Sequence, residues 1–113
     1  MPDNRLSTEL WVSAHLRRLS ANGTGAYLLR RGDAERGSVI VRLATSDGTK
    51  ILTQIRDLDG NLAWMPAQDG KTMKPEDADA YVQRAIDRDS DLWVVEIESR
   101  DGMNPFEERL LGL

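Results

Sequence analysis

Apolar residues recur at helical spacing in two segments of the chain. The first covers residues 7–22, in which Ser7 can cap the first turn and Asn22, with the glycine after it, can end the last. The second begins at Pro75, which suits the first turn of a helix because no backbone donor is needed there. The apolar stripes consist of Trp11, Val12, His15, Leu16 and Leu19 in the first segment, and of Ala78, Tyr81, Val82, Ala85 and Ile86 in the second. This spacing predicts two amphipathic helices.

Five other segments have the period-two alternation or the β-branched content of strands. They are residues 26–30, 38–44, 50–56, 62–65 and 91–98. The last segment carries apolar side chains on both faces, with Leu92 and Val94 on one and Trp93, Val95 and Ile97 on the other. Such a strand is typical of the centre of a sheet that is covered on both sides.

The order of these elements is α-β-β-β-β-α-β. It predicts an α+β fold in one domain over residues 1–113, with a single mixed and mainly antiparallel sheet of about five strands. A second helix that crosses over into a central strand favours helices on both faces of the sheet, in three layers. Asp-Gly pairs at residues 47–48 and 59–60 predict tight turns, residues 66–74 a loop, and the tail from Pro105 a further turn of helix.

Composition restricts the classes of function. With 40% hydrophobic and 30% charged residues the chain is typical of a globular protein, and no apolar run reaches the roughly 18 to 20 residues of a bilayer span. The N-terminal sequence lacks the layout of a signal peptide, so we expect a cytoplasmic protein with no membrane contact. The absence of Cys excludes disulfides, thiolate nucleophiles and iron-sulfur clusters.

Charge is unevenly distributed along the chain. Residues 1–56 contain nine Lys/Arg and five Asp/Glu, whereas residues 57–113 contain six and fourteen. We expect the two halves to neutralise each other within the fold, and an anion-binding patch on the first half is the alternative. A pI of 4.9 argues against nucleic acid as a partner, because nucleic-acid-binding domains carry a basic surface.

The stretch RRGDAERGSV, residues 31–40, spaces Gly32 and Gly37 like the glycines of a phosphate-binding loop. It lacks the lysine that should precede Ser38, a strand rather than a helix follows it, and its acidic residues would repel phosphate. The pattern favours a surface loop in a β-hairpin connection, without nucleotide affinity.

Catalytic candidates are few. Glu96 and Glu98 form an i, i+2 pair that a strand places on one face about 7 Å apart, and Asp101 follows them. The alternative is a solvated strand end that faces arginines. His15 is the only imidazole, and it is either a general base or a packed histidine of the apolar stripe. These residues offer too few ligands for a tightly bound metal, and no motif indicates a cofactor.

Four arginines are candidates for binding an anion, because paired arginines can fork onto a carboxylate or a phosphate. They are Arg17, Arg18, Arg30 and Arg31. Pairing with the acidic second half of the chain is the alternative. Trp64 is a candidate for contact with a partner protein, because the chain has three Trp against one Phe and a Trp outside the core suits an interface.

Three stretches carry a likeness to a known family: LWVSAHLRR at residues 10–18, LLRRGDAERGSVIV at residues 28–41 and DLWVVEIESRDG at residues 91–102. In these stretches the chain resembles the domain-of-unknown-function family 1491, a family of small uncharacterised bacterial proteins. The likeness follows the chain in order over nearly its full length, with little signature between Gly48 and Asp79. It implies one compact domain and a bacterial source, and it implies no activity, so no catalytic residue is carried over.

These features favour a non-enzymatic binding or accessory domain that acts through a protein partner or by self-association. The alternative is a small enzyme, or a protein that binds an anionic ligand in a pocket of His15, the carboxylates and the arginines. A flat apolar patch would support the first hypothesis, and a concave pocket in which these charged residues meet would support the second.

Overall fold

The helices and strands follow the predicted order along the chain. The computed structural model describes residues 7–56, 58–60, 62–103 and 105–106. The elements are α1 (Thr8–Ala21), β1 (Ala26–Arg30), β2 (Val39–Thr45), β3 (Gly48–Arg56), β4 (Leu62–Pro66), a 3-10 turn (Ala67–Gly70), α2 (Pro75–Arg88) and β5 (Trp93–Glu98). Neither of the two helices that the structure describes has the length and apolar character needed to cross a bilayer.

The helices begin where the capping signals predict. The Ser7 hydroxyl accepts a hydrogen bond from the Leu10 N–H at 3.4 Å, and Pro75 occupies the first turn of α2. The acidic residues that follow, Glu76 and Asp77, lie at the positive end of the α2 dipole.

The strands form one mixed sheet in the order β1-β5-β2-β3-β4. β2 and β5 are parallel, and the other three neighbouring pairs are antiparallel. The structure therefore confirms the α+β class and the mainly antiparallel five-strand sheet. The predicted β-hairpin between β1 and β2 is wrong, because β5 lies between these two strands. Hairpin pairing is the default for neighbouring strands, and here the last strand of the chain displaces it.

The core divides into two clusters of buried residues. One consists of Val12, Leu19, Val39, Val41, Leu43, Leu52, Trp64, Trp93, Val95, Ile97 and Phe106. The other consists of Ile40, Ile51, Ala67, Ala78, Val82, Ala85, Leu92 and Val94. Members of the two clusters alternate along β2 and β5, as expected for opposite faces of a sheet. Residues of α1 belong to the first cluster and residues of α2 to the second.

The loop between β1 and β2 crosses over the start of β5. Gly32 and Gly37 lie so close to the backbone just before β5 that an added Cβ would come within 2.1 and 2.2 Å, respectively, of the Asp91 carbonyl oxygen. Gly32 and Gly37 do not have a positive φ. Glycine is therefore required at these positions by the close approach of the backbone and not by the geometry of a turn. Gly37 is buried, which corrects the prediction of a simple surface loop.

Two connections differ in detail from the prediction. The β2–β3 turn consists of Ser46 and Asp47, and Gly48 is already the first residue of β3, with φ 140°. The predicted loop at residues 66–74 contains the 3-10 turn, in which Gln68 and Asp69 have φ near 55°. The predicted helical turn from Pro105 lies largely outside the described residues.

Candidate functional site

The two candidate catalytic carboxylates have different partners. Glu96 Oε1 lies 3.6 Å from Nε of Arg42, while Glu98 Oε1 accepts a hydrogen bond of 2.9 Å from the Tyr27 hydroxyl. Glu98 also lies against Gly25, where an added Cβ would meet its carboxylate at 2.5 Å. The structure thus places the pair beside one another on β5 and engages each with a different neighbouring strand.

Arg42 is a charged residue of this region that the sequence analysis missed. It is 9% exposed, and its Nη1 donates a hydrogen bond of 2.5 Å to Asp79 of α2. Together with Glu96 this arrangement surrounds one buried cation with two carboxylates, so the charge is balanced by residues of α2 and β5. A signal was available in VIVRLAT, where a single arginine interrupts the apolar run of β2.

His15 is part of an aromatic cluster. Its ring centroid lies 4.4 Å from that of Trp11 and 5.0 Å from that of Phe106, and Arg18 Nη2 donates to its Nδ1 at 3.2 Å. Trp64 stacks on Phe106 at 5.5 Å and is only 9% exposed. The side chains of His15 and Trp64 therefore serve packing at the α1 face of the sheet, where His15 does not meet Glu96 or Glu98.

Arg30 binds the main chain. Its Nη1 donates hydrogen bonds to the carbonyl oxygens of Ser90 at 3.0 Å and Leu92 at 2.8 Å. These carbonyls precede β5 at the point where the β1–β2 loop passes. The guanidinium thereby fastens the end of β1 to the start of β5.

Arg31 binds two side chains of the fold. Its Nη2 donates to Glu9 at 2.5 Å, and its guanidinium lies 5.2 Å from the centre of the Trp93 ring. Arg17 is exposed on α1. The four candidate arginines thus lie at different places in the fold. The structure does not bring them together with the candidate catalytic carboxylates Glu96 and Glu98.

In the described part of the chain, no group of three or more His, Asp or Glu side chains could hold a metal. Two hollows on the surface are lined by described residues. The first hollow has a volume of about 530 Å³ and lies between the start of α1 and the β1–β2 loop. It is lined by Ser7, Thr8, Glu35, Arg36, Gly37, Ser38, Gln54, Ile55, Arg56 and Leu62.

The start of α1 has no backbone donors to offer an anion in this hollow. Each N–H of residues 8–11 already has an acceptor, in the carbonyls of Ala34 and Glu35 or in the oxygens of Ser7. These four amides are therefore not open to a phosphate in this hollow. The loop itself occupies the amides to which a phosphate would bind.

The second hollow has a volume of about 540 Å³ and lies between the 3-10 turn and α2. It is lined by Gln68, Lys71, Thr72, Met73, Lys74, Asp77, Ala80, Tyr81 and Arg84. None of the candidate site residues from the sequence analysis belongs to it.

β1 presents an apolar edge of the sheet. Three consecutive side chains are exposed, with fractions of 49% for Tyr27, 41% for Leu28 and 52% for Leu29. Over the described residues β1 pairs only with β5, so its other edge carries free main-chain donors and acceptors. A bulge at Leu29 interrupts the register with β5 between Leu28 and Arg30.

The opposite edge of the sheet is different. β4 has one large exposed apolar side chain, Met65, and it ends at Pro66. Because proline lacks an N–H, it weakens any further strand pairing at this edge. The two edges therefore differ in their capacity to add a strand.

Tyr27 couples this edge to the carboxylates. The hydrogen bond from its hydroxyl to Glu98 raises the pKa of the Tyr27 phenol, and the negative charge of Glu98 raises it further. The tyrosine is thus held in its neutral form as a hydrogen-bond donor.

Comparison with known proteins identifies relatives of the chain. Among solved structures, a crystal structure of a DUF1491 family protein from Caulobacter crescentus CB15 is 39% identical, with a TM-score of 0.75, and covers 88% of this chain and 92% of that one. An NMR structure of a DUF1491 family protein from the same organism is 41% identical, with a TM-score of 0.74, and covers 87% and 89%. The solution structure of protein Atu0922 from A. tumefaciens is 30% identical, with a TM-score of 0.70, and covers 84% and 86%.

A search of curated proteins gave no match. The family model described as "Protein of unknown function (DUF1491)" matches residues 6–107, which is most of the chain. The resemblance inferred from the three sequence stretches is therefore confirmed, and the chain belongs to the DUF1491 family.

Proposed function

We propose that this protein is a non-enzymatic binding domain that associates with a second copy of itself through the free edge of β1. The observation that carries the proposal is the run of exposed Tyr27, Leu28 and Leu29 on a strand whose outer edge has no partner among the described residues. An edge strand with consecutive apolar side chains is a template for pairing with another strand.

The sequence of β1 is suited to pairing with itself. In an antiparallel pair related by a two-fold axis at Leu28, Tyr27 lies opposite Leu29 of the second copy and Leu28 lies opposite its own equivalent. Arg30 lies opposite Ala26, so like charges do not face each other. The Arg30 guanidinium is in addition held by main-chain carbonyls of its own chain at 2.8 and 3.0 Å, away from such an interface.

The two edges of the sheet favour a closed dimer. The bulge at Leu29 limits the length of regular pairing, and Pro66 weakens pairing at the β4 edge. Since only one edge is suited to pairing, association stops at two copies instead of continuing into a fibre.

The residues that an enzyme would use are engaged in contacts within the fold, which favours a non-enzymatic protein. Glu96 balances Arg42, Glu98 accepts from Tyr27, and His15 lies within the aromatic cluster. Each of these groups already has a neighbour within the fold, whereas the outer edge of β1 has none in the part of the chain that the structure describes.

The experiment is sedimentation velocity over a wide range of protein concentration. For the natural chain we expect the mass to rise from 12.7 kDa toward twice that value. Leu29→Lys places a charge opposite Tyr27 of the second copy and should hold the protein at the monomer mass.

Met65→Lys is the matched control, because it makes the same change at a side chain 53% exposed on the opposite edge. It should leave the association unchanged. A natural chain that stays monomeric at every concentration, or a dimer that Met65→Lys removes and Leu29→Lys does not, would overturn the proposal. Pairing of β1 with a strand of another protein would then be the form of binding to test.

A further inference from the structure

The hollow between the 3-10 turn and α2 collects positive charge on an acidic protein. Three cations line it, Lys71, Lys74 and Arg84, and Asp77 is the one acidic residue of its lining. The lining therefore has a formal charge of +2, whereas the whole chain has a net charge of −4.

These cations have no partner among the residues that the structure describes. Neither a salt bridge nor a side-chain hydrogen bond to Lys71, Lys74 or Arg84 occurs there. By contrast, Arg30, Arg31 and Arg42 each bind an oxygen of the fold. Like charges gathered around one hollow repel each other, and an anion bound between them relieves this repulsion.

The walls of the hollow are held in place by the fold. On one side Met73 forms a two-way backbone bridge with Thr49 of β3, at 2.7 and 2.8 Å, which positions the lysines at 71 and 74. On the other side Asp77, Tyr81 and Arg84 follow the spacing of one face of α2. The cations thus come from two elements anchored to the same sheet.

The remaining lining supplies other means of binding a ligand. The Tyr81 ring is half-buried and gives an apolar wall, while Gln68 and Thr72 offer hydrogen-bonding groups. Gln68 belongs to the left-handed turn with φ 55°, a backbone conformation that non-glycine residues rarely adopt. The volume of about 540 Å³ is in the range of small-molecule sites and exceeds what a bare phosphate needs.

We propose that this hollow binds a small phosphorylated molecule, with Lys71, Lys74 and Arg84 holding its phosphate. The net charge of +2 matches a phosphate group, which carries about −1.5 to −2 at neutral pH. The guanidinium forks onto two phosphate oxygens and the lysines act as point charges, while the organic part of the ligand lies against Tyr81. This site is independent of the association proposed for β1.

The experiment is titration of the ¹⁵N-labelled protein with inorganic phosphate and with phenyl phosphate, followed by amide chemical shifts. Sodium chloride at matched ionic strength controls for screening. We expect saturable shifts at residues 71–84 with both phosphates, and several-fold tighter binding of phenyl phosphate because of its contact with Tyr81.

Arg84→Gln and Lys74→Gln should each weaken phosphate binding about tenfold, since each removes a charge-assisted contact. Arg36→Gln is the matched control, because it removes the same charge from the other hollow and should leave the affinity unchanged. All three residues are exposed, so the variants should melt like the natural chain.

Shifts that grow linearly and equal those in chloride would show that the hollow has no phosphate site. A loss with Arg36→Gln as large as that with Arg84→Gln would assign binding to the net charge of the protein and would equally overturn the proposal. The natural chain alone still decides the question if a variant fails to fold, through the saturation of its shifts and their position in the sequence.

Discussion

The indole Nε1 of Trp93 donates a hydrogen bond of 2.7 Å to the carbonyl oxygen of Asp33. This contact ties a fully buried side chain of β5 to the loop that joins β1 and β2. The Asp33 N–H in turn donates to the Asp91 carbonyl at 3.0 Å, so the loop and the start of β5 are bonded in both directions. The segment whose glycine spacing resembles a phosphate-binding loop therefore crosses over the start of β5 and is hydrogen-bonded to it.

The crossing leads to a prediction about its glycines. Gly37→Ala and Gly32→Ala should each destabilise the protein by about 1 to 3 kcal/mol, because the new Cβ would meet main-chain atoms that cannot move alone. Gly25→Ala is the control, since the atoms nearest to its Cβ would be those at the flexible end of the Glu98 side chain. Urea denaturation of the three variants measures the difference. Equal stabilities for all three would contradict the close approach described for the loop.

The burial of β5 on both faces of the sheet can be tested at Val95, which is 1% exposed. Val95→Asp buries a charge without a partner and should cost about 4 kcal/mol or more, enough to remove most of the stability of a domain this size. Leu10→Asp makes the same kind of change at a side chain 58% exposed and should melt within a few degrees of the natural chain. A cooperative melt of Val95→Asp near that of Leu10→Asp would be incompatible with a central β5.

The carboxylates around Arg42 form the basis of a further prediction. Asp79→Asn with Glu96→Gln leaves a buried guanidinium without a counter-charge and should lower the free energy of unfolding by about 2 kcal/mol. Glu98→Gln should change it by less than about 1 kcal/mol, since Glu98 is exposed.

Glu96 and Glu98 also lead to a prediction about metal binding. We expect no tightly bound divalent ion, so chelator should leave the melting temperature of the natural chain unchanged. Stoichiometric zinc, manganese or magnesium by elemental analysis, lost in Glu96→Gln with Glu98→Gln, would identify a metal site and favour an enzyme.

The Tyr27–Glu98 hydrogen bond predicts a dependence on alkaline pH. Because this bond raises the pKa of Tyr27 in the folded protein, its contribution to stability is complete below the unfolded tyrosine pKa of about 10 and is lost as the pH rises through the folded value. In a Tyr81→Phe background the absorbance of tyrosinate reports Tyr27 alone. Glu98→Ala should move this titration down toward the ordinary value. An unchanged titration curve in Glu98→Ala would remove Glu98 as the cause.

Several contacts of the candidate site could not be predicted from the sequence, because they depend on which strands are neighbours in the sheet. Glu96 and Glu98 were recognisable as a pair from their spacing, but their separate partners, Arg42 and Tyr27, come from strands on either side of β5. The cationic hollow was equally hidden, because the charge distribution along the chain directs attention to the basic first half. Its cations lie in the acidic second half of the chain, and Asp77 is the one acidic residue that lines the hollow with them.

The sequence by itself determined the elements of this protein, because helix and strand periodicity, caps and β-branched content act over a few residues. It predicted both helices, the five strands and the double-sided burial of β5, which is confirmed by the burial of Trp93 and Val94. Only the tertiary structure decided that β5 enters between β1 and β2. That choice depends on packing between segments more than fifty residues apart, and no local pattern records it. From it follow the crossing loop, the close approach of Gly32 and Gly37, and the position of β1 at an edge of the sheet.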